Sequence, residues 1–262
     1  MGAGRPAAQQ PIVSAPPSGP EFFSRADFHL NAAWLGATTV TPTTSLSAAE
    51  QRFVWDTFWG GSIDVVDYVS GRLAVIIDYE AVLGSEFQPF DPNQGNYTLE
   101  GSASVRAGRD TELVGIFHHV SRHLEDRAKT HLPVAWNELG ARFLQHVDLG
   151  GPPLDVDVEA GRTVEHANVD YTWLADVNLL GRIPLSNRVD LFAHAAGHLF
   201  GVDGTVPGRA RQAGGLIEAG ARIHGRGGAM ELFTGFEKRL DAYPLDRRPQ
   251  HWFLAGFRLL SR

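Results

Sequence analysis

The stretch LAVIIDYEAVL, residues 73–83, places Leu73, Val75, Ile77, Tyr79, Ala81 and Leu83 at odd positions and its two charges, Asp78 and Glu80, at even ones. A period of two sends successive side chains to opposite faces of an extended chain, so this is a β-strand with one apolar wall and one charged wall. YTLEGSASVR (97–106) repeats the pattern, with Tyr97, Leu99, Gly101, Ala103 and Val105 on one face and Thr98, Glu100, Ser102, Ser104 and Arg106 on the other. VDLFAHAAGHL (189–199) and GLIEAGARIH (215–224) alternate in the same way with smaller residues. These runs are about 10 to 15 residues long, against a usual five or six.

The segments between the strands alternate in length. SGR (70–72), AGRD (107–110), GGPP (150–153), PLSN (184–187) and GRGG (225–228) are tight turns rich in Gly, Pro, Asn and Asp. GSEFQPFDPNQGN (84–96), EDRAKTHL (125–132), HANVD (166–170), DGTVPGR (203–209) and YPLDRRPQ (243–250) are longer links. Long strands joined by short turns at one end and longer loops at the other describe an antiparallel transmembrane β-barrel. A first strand near 26–40 and its loop at 41–50 bring the expected total to about twelve, within a single barrel domain over 26–262. Two strand assignments rest on weaker signals: 26–40, where NAAWLGA also reads as helix, and the terminal HWFLAGFRLL.

Polarity separates this reading from a soluble ligand-binding β-barrel, whose outside is polar and whose inside is apolar. Here the charged face carries too many carboxylates, arginines and histidines for a dry core, where each unpaired charge is very costly. An apolar exterior around a polar lumen is the arrangement for lipid, which implies an outer-membrane location.

The bulk composition excludes several classes. A net charge of −7 and a pI of about 5.9, with no long basic run, argue against nucleic acid as a partner. There is no cysteine, hence neither a disulfide framework nor a thiol nucleophile. No apolar run reaches the ~20 residues of a membrane helix. Residues 1–25 read as a Pro/Ser/Ala-rich flexible tail, either the remnant of a leader or a genuine start, because MGAGRPAAQQPIVSAPPSGP lacks the apolar core of a signal peptide.

FHHVSRHLEDR (117–127) is the chemically densest segment. Taking Val114, Ile116 and Val120 as the lipid face turns His119, Ser121 and His123 into the lumen and leaves His118 outside. On the following strand, Leu139, Ala141, Phe143 and Val147 face lipid while Glu138, Arg142 and His146 face inward. If Leu124 lies opposite Pro133, His119 meets Glu138 with Cβ atoms ~5 Å apart. Ser121, His119 and Glu138 then have the residue types of a nucleophile, its base and an orienter. The remaining inward groups, His123, Arg142, His146, Asp157, Asp176, His194, His198 and Glu218, are expected to form a polar lumen network. Within it, Asp176, His194 and Glu218 lie side by side, and His146 meets Asp157. Arg122, Arg162 and Lys238 fall on the apolar parity near the long-loop ends, where they could pair with lipid phosphates. No metal site or cofactor is expected: His119 and His123 are ~13 Å apart along a strand, and HAAGH (194–198) alternates too cleanly to be a helical zinc pair.

HVSRHLEDR resembles the H-x-S-S-H-L-G-D-E strand of an uncharacterised bacterial outer-membrane family, the domain-of-unknown-function 1207 family. His119, Ser121, His123, Leu124 and Asp126 match, and Arg122, Glu125 and Arg127 depart. The likeness covers about residues 111–145 and implies an outer-membrane location without an activity. More distantly, H-x-S followed by a glutamate on the next strand is similar to the site of the lipid A deacylases. That resemblance implies Ser121 as nucleophile, His119 as base and Glu138 as orienter, acting on lipopolysaccharide. Two features depart from it: Arg122 stands where an asparagine is expected, and the trio is placed in the lumen rather than toward lipid.

The sequence thus yields an outer-membrane barrel with a histidine- and carboxylate-lined lumen, serving as a structural element or a narrow conduit for small polar solutes. An outer-leaflet lipid esterase is the alternative. Outer-membrane lipids, lipopolysaccharide among them, are the expected partners, and the oligomeric state is left open.

Overall fold

In a computed structural model, described here for residues 13–37, 51–124, 133–148, 150–244 and 247–261, twelve strands follow one another along the chain. They are β1 (Glu21–Ala37), β2 (Trp55–Asp67), β3 (Arg72–Gly84), β4 (Asp91–Arg106), β5 (Thr111–His123), β6 (Val134–Val147), β7 (Leu154–Ala167), β8 (Tyr171–Ser186), β9 (Val189–Val202), β10 (Gln212–His224), β11 (Gly228–Arg239) and β12 (Gln250–Ser261). Each pairs antiparallel with its sequence neighbours, and β1 pairs with β12, so the sheet closes on itself and has no free edge. The first strand begins at Glu21, inside the segment expected to be a tail. NAAWLGA is strand, because each of its residues pairs with β12 and the barrel closes through it. The terminal HWFLAGFRLL is strand as well.

The two walls have opposite chemistry. Leu73, Ile77, Leu99, Val105, Leu139, Ile217, Leu232 and Phe253 are exposed on the outside, whereas Asp78, Glu80, Glu100, Glu112, Arg142, Glu218, Glu231 and Arg258 are buried within. This inverts a soluble fold and matches a wall in contact with lipid.

Four arginines cross-link the lumen charges. Arg142 on β6 makes a two-pronged contact to Glu100, with Nη1 to Oε1 at 2.9 Å and Nη2 to Oε2 at 2.8 Å, while its Nε donates to Glu159 at 2.7 Å. Arg72 bridges Asp64 and Glu112, Arg258 bridges Glu218 and Glu231, and Arg239 gathers Asp56, Glu80 and Glu237. Apolar clusters fill the space between them. Val114, Ile116 and Leu144 form one, and Val120, Trp136, Tyr171, Leu174, Phe200 and Leu240 form another.

Those clusters explain the main departure from expectation. Val114, Ile116 and Val120 point into the barrel, so all of β5 is turned over relative to the sequence reading. Ser121 and the exposed His123 lie outside with Leu113 and Phe117, whereas the 3%-exposed Arg122 lies inside. The hairpin register differs by one residue: His119 faces Asn137, and Glu138 faces His118. A slip of one residue exchanges the two faces of a strand. On β3, β4 and β6 the expected faces hold.

At the long-loop end, three loops are tied together. Arg209 Nη1 donates to Asp241 at 2.8 Å, Arg209 Nε lies 2.9 Å from Asp170, and Arg247 Nη1 lies 2.6 Å from Asp170. From below, Arg122 Nη1 donates to the Asp241 carbonyl at 2.7 Å and Gln94 to the Ala242 carbonyl at 2.9 Å. At the short-turn end a cavity of about 360 Å³ opens, with Arg25, Ser62, Ser102 and Arg222 among its lining.

Two predictions follow from this lumen. Arg142→Met removes the guanidinium that Glu100 and Glu159 share and lowers stability by about 3–5 kcal/mol, read from denaturant unfolding of the lipid-reconstituted barrel. Leu113→Ala on the outer wall costs much less. Burial raises the Asp241 carboxyl, but hydrogen bonds from Arg209 and Tyr171 outweigh it and hold the group below the ordinary carboxylate range. The folded value being depressed, the clasp contributes fully above about pH 4 and is lost as pH falls through the lower folded value. Proteolysis in the 203–211 loop, measured with an acid-active protease, therefore rises only in strong acid. An onset near neutrality contradicts the clasp.

Candidate functional site

Strand β5 ends and β6 begins at the long-loop rim, and their outward positions there bring polar groups together on the outer wall. Ser121 is one outward position from the end of β5, with Tyr97 opposite on β4 and Ala135 opposite on β6. Ala135 is small and leaves the hydroxyl open on that side. His119 lies two residues along the same face, opposite Asn137.

The hydrogen bonds fix an order. Asn137 Nδ2 donates to Glu165 Oε2 at 2.9 Å, which directs Asn137 Oδ1 toward β5. His119 Nδ1 lies 2.6 Å from that oxygen. An amide oxygen only accepts, so His119 carries its proton on Nδ1 and leaves Nε2 as a basic lone pair. Ser121 Oγ lies 2.8 Å from His123 Nε2. His123 is held edge-on by Tyr97, with ring centroids 5.4 Å apart, at the end of an outward aromatic row running through Trp59, Tyr79 and Tyr97. A serine flanked by two imidazoles, one of them oriented by an amide, has the parts of a nucleophile, its base and a positioning residue.

The outward trio is therefore Ser121, His119 and Asn137. Glu138 points into the lumen and does not face His119. Asn137 was legible in principle: it shares the odd parity of Leu139, Ala141 and Phe143, the wall already read as outward. It was missed because β5 was assigned to the wrong face.

The other expected residues divide between the two walls. Arg142, Asp157, His194, His198 and Glu218 are buried in the lumen. His146 pairs with Asp155 at 2.6 Å rather than with Asp157, which lies 3.6 Å from Arg142. Asp176 pairs with His198, and His194 with Glu218 at 3.3 Å, so the expected row is two pairs. His123 leaves the lumen network for the outer face. Arg122 cannot meet lipid phosphate, being sealed beneath the loop clasp. Arg162 and Lys238 do lie on the outward parity, Arg162 opposite Leu139 and Trp173, and Lys238 opposite Gly215 and His251.

No protein-family model matches the sequence, and no curated protein matches it. Solved structures do. Outer membrane phospholipase A from Escherichia coli aligns with a TM-score of 0.53 at 12% identity, over 92% of this chain and 97% of that one. The calcium-bound dimer of the Salmonella typhi outer membrane phospholipase aligns with a TM-score of 0.53 at 12% identity, over 89% and 90%. An active-site asparagine-to-alanine variant of the E. coli enzyme aligns with a TM-score of 0.52 at 13% identity, over 92% and 91%. At such identities the likeness establishes the fold, a twelve-stranded barrel of the outer-membrane type. The outer-membrane part of the sequence resemblance is thereby supported, while no family model ties the chain to the 1207 family.

The hydrogen-bond order predicts a measurable tautomer. Nitrogen NMR of the detergent-folded protein should show His119 protonated on Nδ1 at neutral pH, and Asn137→Ala should move the ring toward the mixed population of a free imidazole. A wild-type ring protonated on Nε2 contradicts the assignment.

Proposed function

We propose that this protein is an outer-membrane serine esterase that hydrolyses an acyl ester of a lipid in the outer leaflet, with Ser121 as nucleophile, His119 as base and Asn137 as the positioning residue. The observation that carries the reading is the His119–Asn137 hydrogen bond beside Ser121 on the lipid-facing wall. A lipid ester reaches that wall from the bilayer without entering the barrel. The fold is shared with proteins named as outer membrane phospholipases, one of them an active-site asparagine variant, and this lends support.

In the reaction, rotation of Ser121 about χ1 brings Oγ from His123 to His119 Nε2. Oγ attacks the ester carbonyl carbon as its proton passes to Nε2, and the C–O bond to the leaving alcohol breaks as that proton is returned to the alcohol oxygen. Water then attacks the acyl-serine with the same base, releasing the fatty acid and restoring Ser121. Asn137 holds the imidazole in the tautomer that can accept the proton. Arg162 lies diagonally beside Asn137 across β6 and β7 and would meet a lipid phosphate, with Lys238 a second contact elsewhere on the wall. Phospholipid and lipopolysaccharide both present acyl esters and phosphates at this depth.

A non-enzymatic barrel is the second reading, favoured by the contact of Ser121 with His123 rather than His119. A solute conduit is less well supported, since buried ion pairs and apolar clusters occupy much of the lumen among the described residues.

The test is fatty-acid release from phospholipid and from lipopolysaccharide by the detergent-folded protein. Ser121→Ala and His119→Ala each reduce turnover by roughly 10⁴-fold or more. Asn137→Ala reduces it by about 10²-fold through a misplaced base, and shifts the pH profile of turnover. His123→Ala loses less than His119→Ala. Release that is unchanged in Ser121→Ala rules the mechanism out, and no release from wild type on either lipid favours the structural barrel.

A further inference from the structure

Behind His119 and Asn137, on the other face of the same hairpin, the lumen holds a second cluster. His118 and Glu138 are cross-strand partners on β5 and β6. Glu159 approaches from β7, and one donor atom from each of the three residues lies within 4.8 Å of the others. Glu138 is 2% exposed, and among the described residues neither a hydrogen bond nor an ion pair engages its carboxylate. Its side chain is folded over Gly161, where an added Cβ would lie 2.0 Å from Glu138 Oε1. Glycine at 161 thus makes room for the Glu138 carboxylate.

Charge points the same way. Glu100, Asp157 and Glu159 each contact the guanidinium of Arg142, and Glu138 lies near Glu159, Asp176 and Arg142. Asp176 is turned to His198. Among the described residues these carboxylates outnumber the cations beside them, in a lumen surrounded by lipid, where burying charge is costly. A divalent cation would add positive charge among them. One imidazole with two carboxylates is a nitrogen–oxygen donor set suited to zinc, and three protein ligands leave the fourth tetrahedral position to a water molecule.

We infer that His118, Glu138 and Glu159 form a zinc site inside the barrel, back to back with the outward His119–Asn137 pair, tying β5, β6 and β7 together. Arg142 keeps hold of one Glu159 oxygen and orients the other toward the ion, the part a hydrogen-bonded outer shell plays around metal ligands. The proposal is independent of the esterase reading, because zinc here would brace the hairpin from within and meet no substrate.

The test is metal content rather than activity. Wild-type protein is folded in detergent with Zn²⁺, dialysed against metal-free buffer and analysed for all elements. About one zinc per chain is expected to remain, with a higher melting temperature than protein folded without the ion. Glu138→Gln and His118→Gln, each confirmed as barrel by circular dichroism, should lose both the zinc and the thermal shift. A double His119→Ala, His123→Ala variant should keep both. Wild type without retained zinc overturns the site. So does zinc that survives Glu138→Gln but disappears with the two outward histidines, which would place the ion on the outer wall.

Discussion

A strand surrounded by lipid has no water to satisfy its amides or its charges, and everything else in this barrel follows from that. The backbone groups are satisfied by closure of β1 on β12, which removes the edges. Charged side chains turn inward, and many pair around Arg72, Arg142, Arg239 and Arg258, each of which holds two or more carboxylates. Arginine suits this task because its planar fork can serve several acceptors at once while staying charged. A lumen built this way is a cross-linked interior, and it gives rigid support to whatever the outer wall carries.

The same constraint explains what could be read from the residues. Where one face is charged and the other apolar, as in 73–83 and 97–106, the lipid-facing side is unambiguous, and alternating turn lengths supply the strand order. β5 defeats that logic because both of its faces are apolar over most of its length. Leu113 and Phe117 face lipid, while Val114, Ile116 and Val120 pack against Leu144, Trp136 and Phe200 inside. β-branched residues are not a lipid-facing signature when part of the lumen is itself an apolar core. Arg122 carried the discriminating signal: an arginine at that depth is far less costly inside than outside, and it shares parity with Val114.

One wrong face propagated into the site. With β5 turned over, the base pairs with the neighbour of the expected orienter, Asn137 in place of Glu138, and the nucleophile moves from lumen to lipid. The objection that a deacylase-like trio should not sit in the lumen disappears with the same correction. Adjacent residues then separate into two clusters on opposite walls of one hairpin: His119 and Asn137 outward, His118 and Glu138 inward. The inner cluster is not legible as ligands spaced along a single strand, because its members come from three strands and meet only through register.

The account depends on which way β5 faces, and a cysteine scan addresses that directly, since the chain has no native cysteine to remove. Single cysteines at 117 through 123, in barrels reconstituted into bilayers, would be treated with a membrane-permeant thiol reagent and a membrane-embedded quencher. Reaction and quenching at positions 117, 119, 121 and 123, with protection at 118, 120 and 122, is the predicted alternation. The opposite alternation would return Ser121 to the lumen and contradict both the lipid-facing serine site and the cluster behind it.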